Sequence, residues 1–362
     1  MQKTKNTSLW QIALAKFKKN KLALWSFWYI VFCGFIAIFA YVLVPDNSPN
    51  AKMQHIEIHT ERPLFKTLLF KDYSKNKVNQ SWLNRIFYGN KNHPLEKPIN
   101  SYKIKNDTLV LQLFSKDSGV IKSEIIPLNG KNDYKIETKT FYLGTDKYGR
   151  DYLSRMLVGT RISFFIGFIA VFISLIIGIT IGAIAGYFGG KIDSFIMWLI
   201  NVTWSIPTLL MVIAITLALG KGFYQVFIAV GLTMWVEVAR VVRGQVMALK
   251  QEQYIEAARA LGFSNLRIII KHILPNIMAP IIVISAANFA AAILIESGLS
   301  FLGIGAQPPA PSWGSMIKDH YNYILLGKGY LAIIPGLAIM SLVMAFMLVG
   351  NGLRDALDVK GS

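Results

Sequence analysis

Cysteine is nearly absent. Cys33 is the one thiol in 362 residues, so no intrachain disulfide can form and cysteine use is silent on redox compartment. Acidic residues are scarce: 20 Asp and Glu face 38 Lys and Arg, a formal net charge of +18. Histidines number five, His55, His59, His93, His272 and His320, and none makes a paired metal spacing on a helical segment. His55 and His59 are four apart but fall where no helical period runs. No GxxxxGK followed by Ser or Thr occurs, which removes the usual phosphate-cradling loop. Several long stretches lack charge altogether.

Those stretches set the class. The chain is 53% hydrophobic with a mean hydropathy of +0.43, too apolar for an ordinary soluble protein. Residues 22–44 form an uncharged run long enough to cross a hydrocarbon core of roughly 30 Å. The basic KFKKNK before it suits a signal sequence. The apolar run is too long for a cleaved one and no small-x-small site follows, so a retained signal anchor is expected. Further runs lie near 162–188, 195–219, 223–242, 277–297 and 331–350, which predicts six membrane helices. Gly167, Gly178, Gly182 and Gly186 recur along the second, as close helix packing in lipid requires.

Orientation follows from the basic residues of short segments. The N-terminal tail carries Lys3, Lys5, Lys16, Lys18, Lys19 and Lys21. The end of the fourth run and the insert that follows it carry Arg240, Arg243, Lys250, Arg259, Arg267 and Lys271. With six spans both fall on one side, which predicts that side to be the cytoplasm, together with the C-terminal tail and its Arg354 and Lys360. The block from 45 to 141 is basic too, but long loops translocate largely regardless of charge, so it is placed outside. There "DYKIETKTF" alternates with period two, and "TLVLQLF" (108–114) reads as another strand. "SEIIPL" followed by Asn129-Gly130 predicts a hairpin. Residues 60–90 give no clean period. The block is either a docking surface for an outer partner or an insertion that packs on the membrane part.

The insert "YIEAARALGFSNLRIIIKHILPN" (254–276) is polar and helical in pattern. Glu252 to Leu261 favours helix, and Gly262 suits a left-handed stop. Ser264 can cap a second helix, on which Leu266, Ile269, Ile270 and Ile273 make one apolar face. Pro275 is expected to end that helix before the next span. A helix-turn-helix for DNA is disfavoured, since no third helix supports it and the membrane tethers both ends. A hydrophobic helix face with nothing to cover it marks a partner surface.

Polar groups within the spans are the remaining candidates, because intramembrane charge is costly and faces a cavity or partner. Thr203, Ser205 and Pro207 interrupt the third run. Asn288 sits mid-span and Glu296 at the outer end of the same run; both are candidates for a translocation path, the alternative for Glu296 being that it is simply solvated. Glu237 is expected to pair with Arg240 or Arg243.

Glu256-Ala257-Ala258, Gly262 and Leu274-Pro275 resemble the EAA loop of permease subunits in ATP-binding-cassette importers. His272 stands where the general pattern has an aliphatic residue, and the ending "KHILPN" resembles the dipeptide and oligopeptide branch. "LGTDKYGRDYLSR" (143–155), "ESGLSFLGIGAQPPAPSWGSMI" (296–317) and "GNGLRDALD" (350–358) resemble that branch in order and spacing. In the last, Asn351 stands where the family often has Asp. The resemblance covers about 142–359 and the first span; the block 45–141 is longer than the usual connection and nothing is carried onto it.

The resemblance implies an all-α polytopic membrane protein with six transmembrane helices of the type I importer kind. The strand patterns of the 45–141 block, rather than the resemblance, add a small, β-containing extracytoplasmic domain between helices 1 and 2. The expected divisions are 1–44 (basic tail and first helix), 45–141 (inserted domain) and 142–362 (five-helix core), with the coupling loop at about 246–275. It further implies a non-catalytic subunit without a cofactor of its own, ATP and Mg being bound by partner ATPases. The implied partners are a homologous second permease, two cytoplasmic ATPases, an outer substrate-binding protein, peptide cargo and the bilayer, with no nucleic acid. Glu256, Ala257, Ala258 and Gly262, with the face of Leu266, Ile269, Ile270 and Ile273, would meet an ATPase groove. A nickel or peptide-antibiotic cargo fits the same branch. A membrane receptor or sensor using the outer block is the reading from another class, although its cytoplasmic part is too small for a kinase or cyclase. A membrane-embedded enzyme would need a nucleophile or metal set within the spans, and none is seen.

Overall fold

In lipid only a helix or a closed barrel satisfies every backbone polar group, so the uncharged runs fold as helices. The computed structural model describes residues 9–74, 78–105, 108–116, 122–127, 133–220 and 222–357. In chain order, α1 (Leu9–Lys19) and α2 (Lys21–Leu43) precede a strand-bearing segment: β1 (Phe65–Asp72), α3 (Trp82–Tyr88), β2 (Leu95–Lys105), β3 (Thr108–Leu113), β4 (Ser123–Pro127) and β5 (Tyr134–Phe141). Then come α4 (Tyr152–Phe188), α5 (Gly190–Trp204), α6 (Thr208–Leu219), α7 (Phe223–Leu249), α8 (Gln253–Ala260), α9 (Asn265–Ile268), α10 (Met278–Leu302), α11 (Trp313–His320) and α12 (Tyr330–Leu357). Among the described residues, α2, α4, α7, α10 and α12 lie in helical stretches long and apolar enough to cross a membrane.

The third predicted span is a bent pair. α5 and α6 meet at 89° across a three-residue break. The cause is Pro207, which has no N–H to donate to the Thr203 carbonyl. The Ile206 N–H bonds that carbonyl instead, at 3.3 Å.

The chain divides into two compact units, one of Met1–Cys33, Ser163–Gln307 and Leu337–Ser362, the other of Gly34–Ile162 and Pro308–Gly336. In the first unit the glycine spacing of α4 does what its pattern predicts. A Cβ at Gly178, Gly182 or Gly186 would come within 2.5, 2.4 and 2.7 Å of Val238, the Ala239 carbonyl and the Arg243 carbonyl, so α4 lies directly against α7. Gly167 faces the Phe289 ring of α10. α1 tucks Ala13 and Phe17, one turn apart, out of solvent, and Phe17 packs with Ala23, Val349 and Ala356.

The second unit carries a five-stranded antiparallel sheet in the order β4-β3-β2-β1-β5. The unit is larger than the expected 45–141 block, because 34–44, 142–162 and 308–336 belong to it as well. β3 and β5 match the strands read from the sequence. The expected hairpin does not form: β4 pairs with β3 and β5 with β1, so the two lie at opposite edges. The Asn129-Gly130 turn lies outside the described residues. β1 is an interior strand whose adjacent residues Leu69 and Phe70, on opposite faces, are both buried, so it carries no strict alternation and escapes a period-two reading. α3 and β2 were likewise not anticipated.

Two polar clusters order this unit. Asp146 is fully buried and accepts from the Tyr148 and Arg150 amides at 2.8 and 2.9 Å and from Arg150 Nε at 2.6 Å. This folds "GTDKYGRD" into a closed loop whose Asp151 carboxylate accepts from the Ser154 amide at the start of α4. In the sheet, the Glu96 carboxylate lies 3.3 Å from Lys71, 3.4 Å from His55 and 3.8 Å from Lys139. Burial pushes the Glu96 carboxyl up, but the His55 hydrogen bond and the Lys139 and Lys71 charges more than offset it, leaving it at about 2.

Candidate functional site

The loop between α7 and α10 is built on glycine and packing. α8 ends at Gly262, whose φ of +77° is left-handed, and the Phe263 amide closes the turn onto the Ala258 carbonyl at 3.1 Å. No atom lies within 4 Å of where a Gly262 Cβ would stand, so backbone conformation alone demands glycine there. Ser264 takes the extended N-cap conformation without a side-chain cap bond. α9 continues into a π-helical turn (Ile269–Ile273) and a 3₁₀ turn (Leu274–Ile277) before α10. Pro275 therefore does not end the helix as expected: it sits in the first turn of the 3₁₀ segment, where a missing N–H is tolerated, and the helical path runs on from Asn265 to Leu302.

The expected apolar face is split. Ile268 is fully buried, with Ile269 and Ile273, in a cluster that includes Val242, Val246, Ile255 and Ala258. Ile269 and Ile273 thus serve this chain's own core and cannot lie on an exposed face, because the core side is turned by about one residue from the face that period 3.6 selects. Leu266 (67% exposed) and Ile270 (52%), four apart, remain outside with Leu261 (73%). Glu256 and Ala257 are exposed and Ala258 is buried. Tyr187 of α4 donates to Asn265 Oδ1 at 2.9 Å, and Arg259 and Lys250 stand over its ring. The loop is therefore a fixed projection with two polar corners and a small apolar tip.

At the α5–α6 break, a cavity of about 190 Å³ is lined by Thr203, Trp204, Met211, Glu237 and Ile295, among others. Glu237 is exposed and, among the described residues, has no ion pair. Its two expected partners are engaged elsewhere. Arg243 makes a bidentate bond to Asp193 at 2.5 and 2.7 Å, and the Arg240 guanidinium sits 3.6 Å from the Trp204 ring centroid. Of the four residues expected along a path, Thr203 alone lines this cavity. Ser205 is exposed and bonds back to the Asn201 carbonyl. Asn288 and Glu296 are buried inside this chain, Glu296 accepting from Ser300 Oγ at 2.7 Å. Asp193 was missed; it lies 50 residues from Arg243, and no local pattern joins them.

Comparison with known proteins gives the family. A model of the binding-protein-dependent transport system inner membrane component matches residues 178–360, and one of the N-terminal transmembrane domain of oligopeptide transport permease C matches 8–57. The dipeptide transport system permease protein DppC of Alkalihalophilus pseudofirmus is 41% identical over 232 residues, 64% of this chain and 76% of that one. The oligopeptide transport system permease protein OppC of Escherichia coli is 43% identical over 219 residues, 60% and 72% of the two chains. The glutathione transport system permease protein GsiD of Pectobacterium atrosepticum is 42% identical over 219 residues, with the same shares. A solved chain described as an inward-facing conformation of the MetNI methionine transporter matches 57% of this chain and 97% of that one, at 17% identity and a TM-score of 0.47. The chain belongs to the binding-protein-dependent transport system inner membrane component family: it is a non-catalytic, multi-pass permease subunit of an ATP-binding-cassette importer of the inner membrane.

Proposed function

We propose that this permease imports peptides and is driven through the loop from α8 to the π-helical turn. A homologous second permease completes the path, two cytoplasmic ATPases bind ATP and Mg, and an outer binding protein delivers the cargo. The observation that carries the coupling role is the exposed pair Leu266 and Ile270, with Leu261 beside them, on a projection whose Ile255, Ile268, Ile269 and Ile273 are spent in the core. An apolar tip of this size in water favours burial in a partner groove. Glu256 and Ala257, exposed on α8, flank it, and Gly262 sets the angle between the two arms. Because Ile268 and Ile273 pack on α7, a push on the tip is delivered to the spans rather than absorbed by a slack loop. The peptide assignment rests on the names of the relatives, which include dipeptide, oligopeptide and glutathione permeases at similar identity.

On this reading both termini and the loop are cytoplasmic and the sheet is outside. Thr203 and Glu237, at the α5–α6 break, are the residues placed to meet cargo. Affinity purification in mild detergent tests the assembly: a second permease and two ATPases should co-purify, and recovery of a sensor kinase instead would overturn it. Orientation is read separately. A cysteine at Lys103 in β2 should react with an impermeant thiol reagent in intact cells, and one at Ser264 only after the membrane is opened.

A further inference from the structure

Helix α3 exposes almost everything it has. Of its seven residues Ile86 alone is buried, while Trp82 is 70% exposed, Leu83 55%, Phe87 44% and Tyr88 66%. A patch of three aromatics and a leucine on one short helix is not a surface that water favours. Nor can the helix cross a membrane, since seven residues rise only about 10 Å.

Its position is fixed by residues that mark a depth. Arg161 of α4 is the last charged residue before the uncharged stretch 162–188, so it stands where α4 enters hydrocarbon. Its guanidinium lies 5.5 Å from the Tyr41 ring centroid and 5.6 Å from that of Phe87, and its Nη1 donates to the Ile86 carbonyl at 3.3 Å. Tyr41 is near the end of α2, whose uncharged run stops at residue 44. Just beyond α3, the Asn90 amide donates to the Asn47 carbonyl at 2.7 Å. The flanking loop is closed on itself by Gln80, which bonds the Gly89 carbonyl and the Lys91 amide. α3 is thereby stitched to the ends of two spans at the level of Tyr41 and Arg161. At that level α2 also exposes Val42 and Leu43, apolar surface that faces lipid in a membrane span.

We propose that α3 is an interfacial helix, its Trp82, Leu83, Phe87 and Tyr88 resting in the headgroup region of the bilayer on the side that carries the sheet. The composition suits that place: Trp and Tyr are amphipathic rings that collect at membrane–water interfaces, and Arg85 supplies a cation for lipid phosphate. The consequence is mechanical. The sheet is tied to the bilayer surface through α3 as well as through the chain connections to α2 and α4.

The test uses the assembled transporter in phospholipid vesicles, without its outer binding protein and with Cys33→Ala removing the native thiol. A nitroxide is attached through Leu83→Cys, through Tyr88→Cys in a second variant, and through Ile104→Cys on exposed β2 as the aqueous reference. Collision rates with oxygen, which concentrates in lipid, and with a water-soluble nickel chelate are then compared. The proposal expects the oxygen-to-nickel ratio at both α3 sites to shift well above that at Ile104. Equal ratios at α3 and Ile104 would place the helix in water and overturn it. Exclusion of both reagents from the α3 sites would mean a protein partner covers them, and would overturn it equally.

Discussion

The split of the loop's isoleucines makes two substitutions of the same chemistry behave differently. Ile268 is fully buried among Val242, Val246 and Ile255, so Ile268→Ala removes packing and leaves a cavity, at about 2–5 kcal/mol. Leu266 and Ile270 are more than half exposed, so Leu266→Ala with Ile270→Ala should leave permease stability within about 0.5 kcal/mol each. If the pair is the anchor of an ATPase groove, the same double variant should lose about 2 kcal/mol or more per anchor in binding, roughly thirtyfold in affinity for each. The assay measures two things on one preparation: thermal unfolding of the isolated permease and retention of ATPases through a detergent wash. Ile268→Ala should unfold at lower temperature yet keep its ATPases below that point. The double variant should unfold as wild type and release them. A double variant that melts as early as Ile268→Ala, or that holds its ATPases at wild-type affinity, would refute the assignment of the exposed tip.

Four further outcomes follow from the geometry. Glu96 is held at about 2 against an ordinary 4.5, so its contribution is complete above pH 4.5 and is lost as pH falls toward 2; on the order of 3 kcal/mol is at stake. Acid loss of hydrogen-exchange protection in β1 should show that limb, and Glu96→Gln should abolish it. Gly182→Val would drive its side chain into the Ala239 carbonyl and force α4 from α7, so assembled transporter should fall sharply in a detergent gel-filtration yield. Gly244→Ala, on α7 with nothing within 4 Å, should be recovered normally and gain about 0.5–1 kcal/mol of helix stability. Gly262→Val should leave the spans inserted but reduce uptake, because a β-branched residue at a φ of +77° strains the turn; an unaltered uptake rate would remove the turn from the coupling path.

What the sequence disclosed is what short-range physics writes into it. Long apolar runs marked five spanning helices and a sixth run that is bent at Pro207, because lipid tolerates little charge over a whole stretch, and Gly262 announced a left-handed turn because few other residues tolerate one. The α4 glycines marked a close approach without naming α7 as its partner. β3 and β5 alternate and were legible. β1 is flanked on both sides by strands and reads FKTLLFKD, whose consecutive Leu-Leu-Phe hides the pleat.

The errors share one cause. An apolar period says that a helix has a buried side, but not whether this chain or another supplies the cover. Leu266, Ile269, Ile270 and Ile273 look alike on a helical wheel. The π-helical turn and the bulk of α7 decide that Ile269 and Ile273 go inward while Leu266 and Ile270 stay out. Glu237 was matched with the nearest arginines along its own helix, yet Asp193 and Trp204, brought over by the bend at Pro207, had claimed both. The bend itself is written in one residue, but its result, a cavity that brings the Glu237 carboxylate beside Thr203, depends on helices that are distant in sequence. Where a polar side chain finds its partner is a property of the packed fold, and so the cavity at the break had to be seen rather than read.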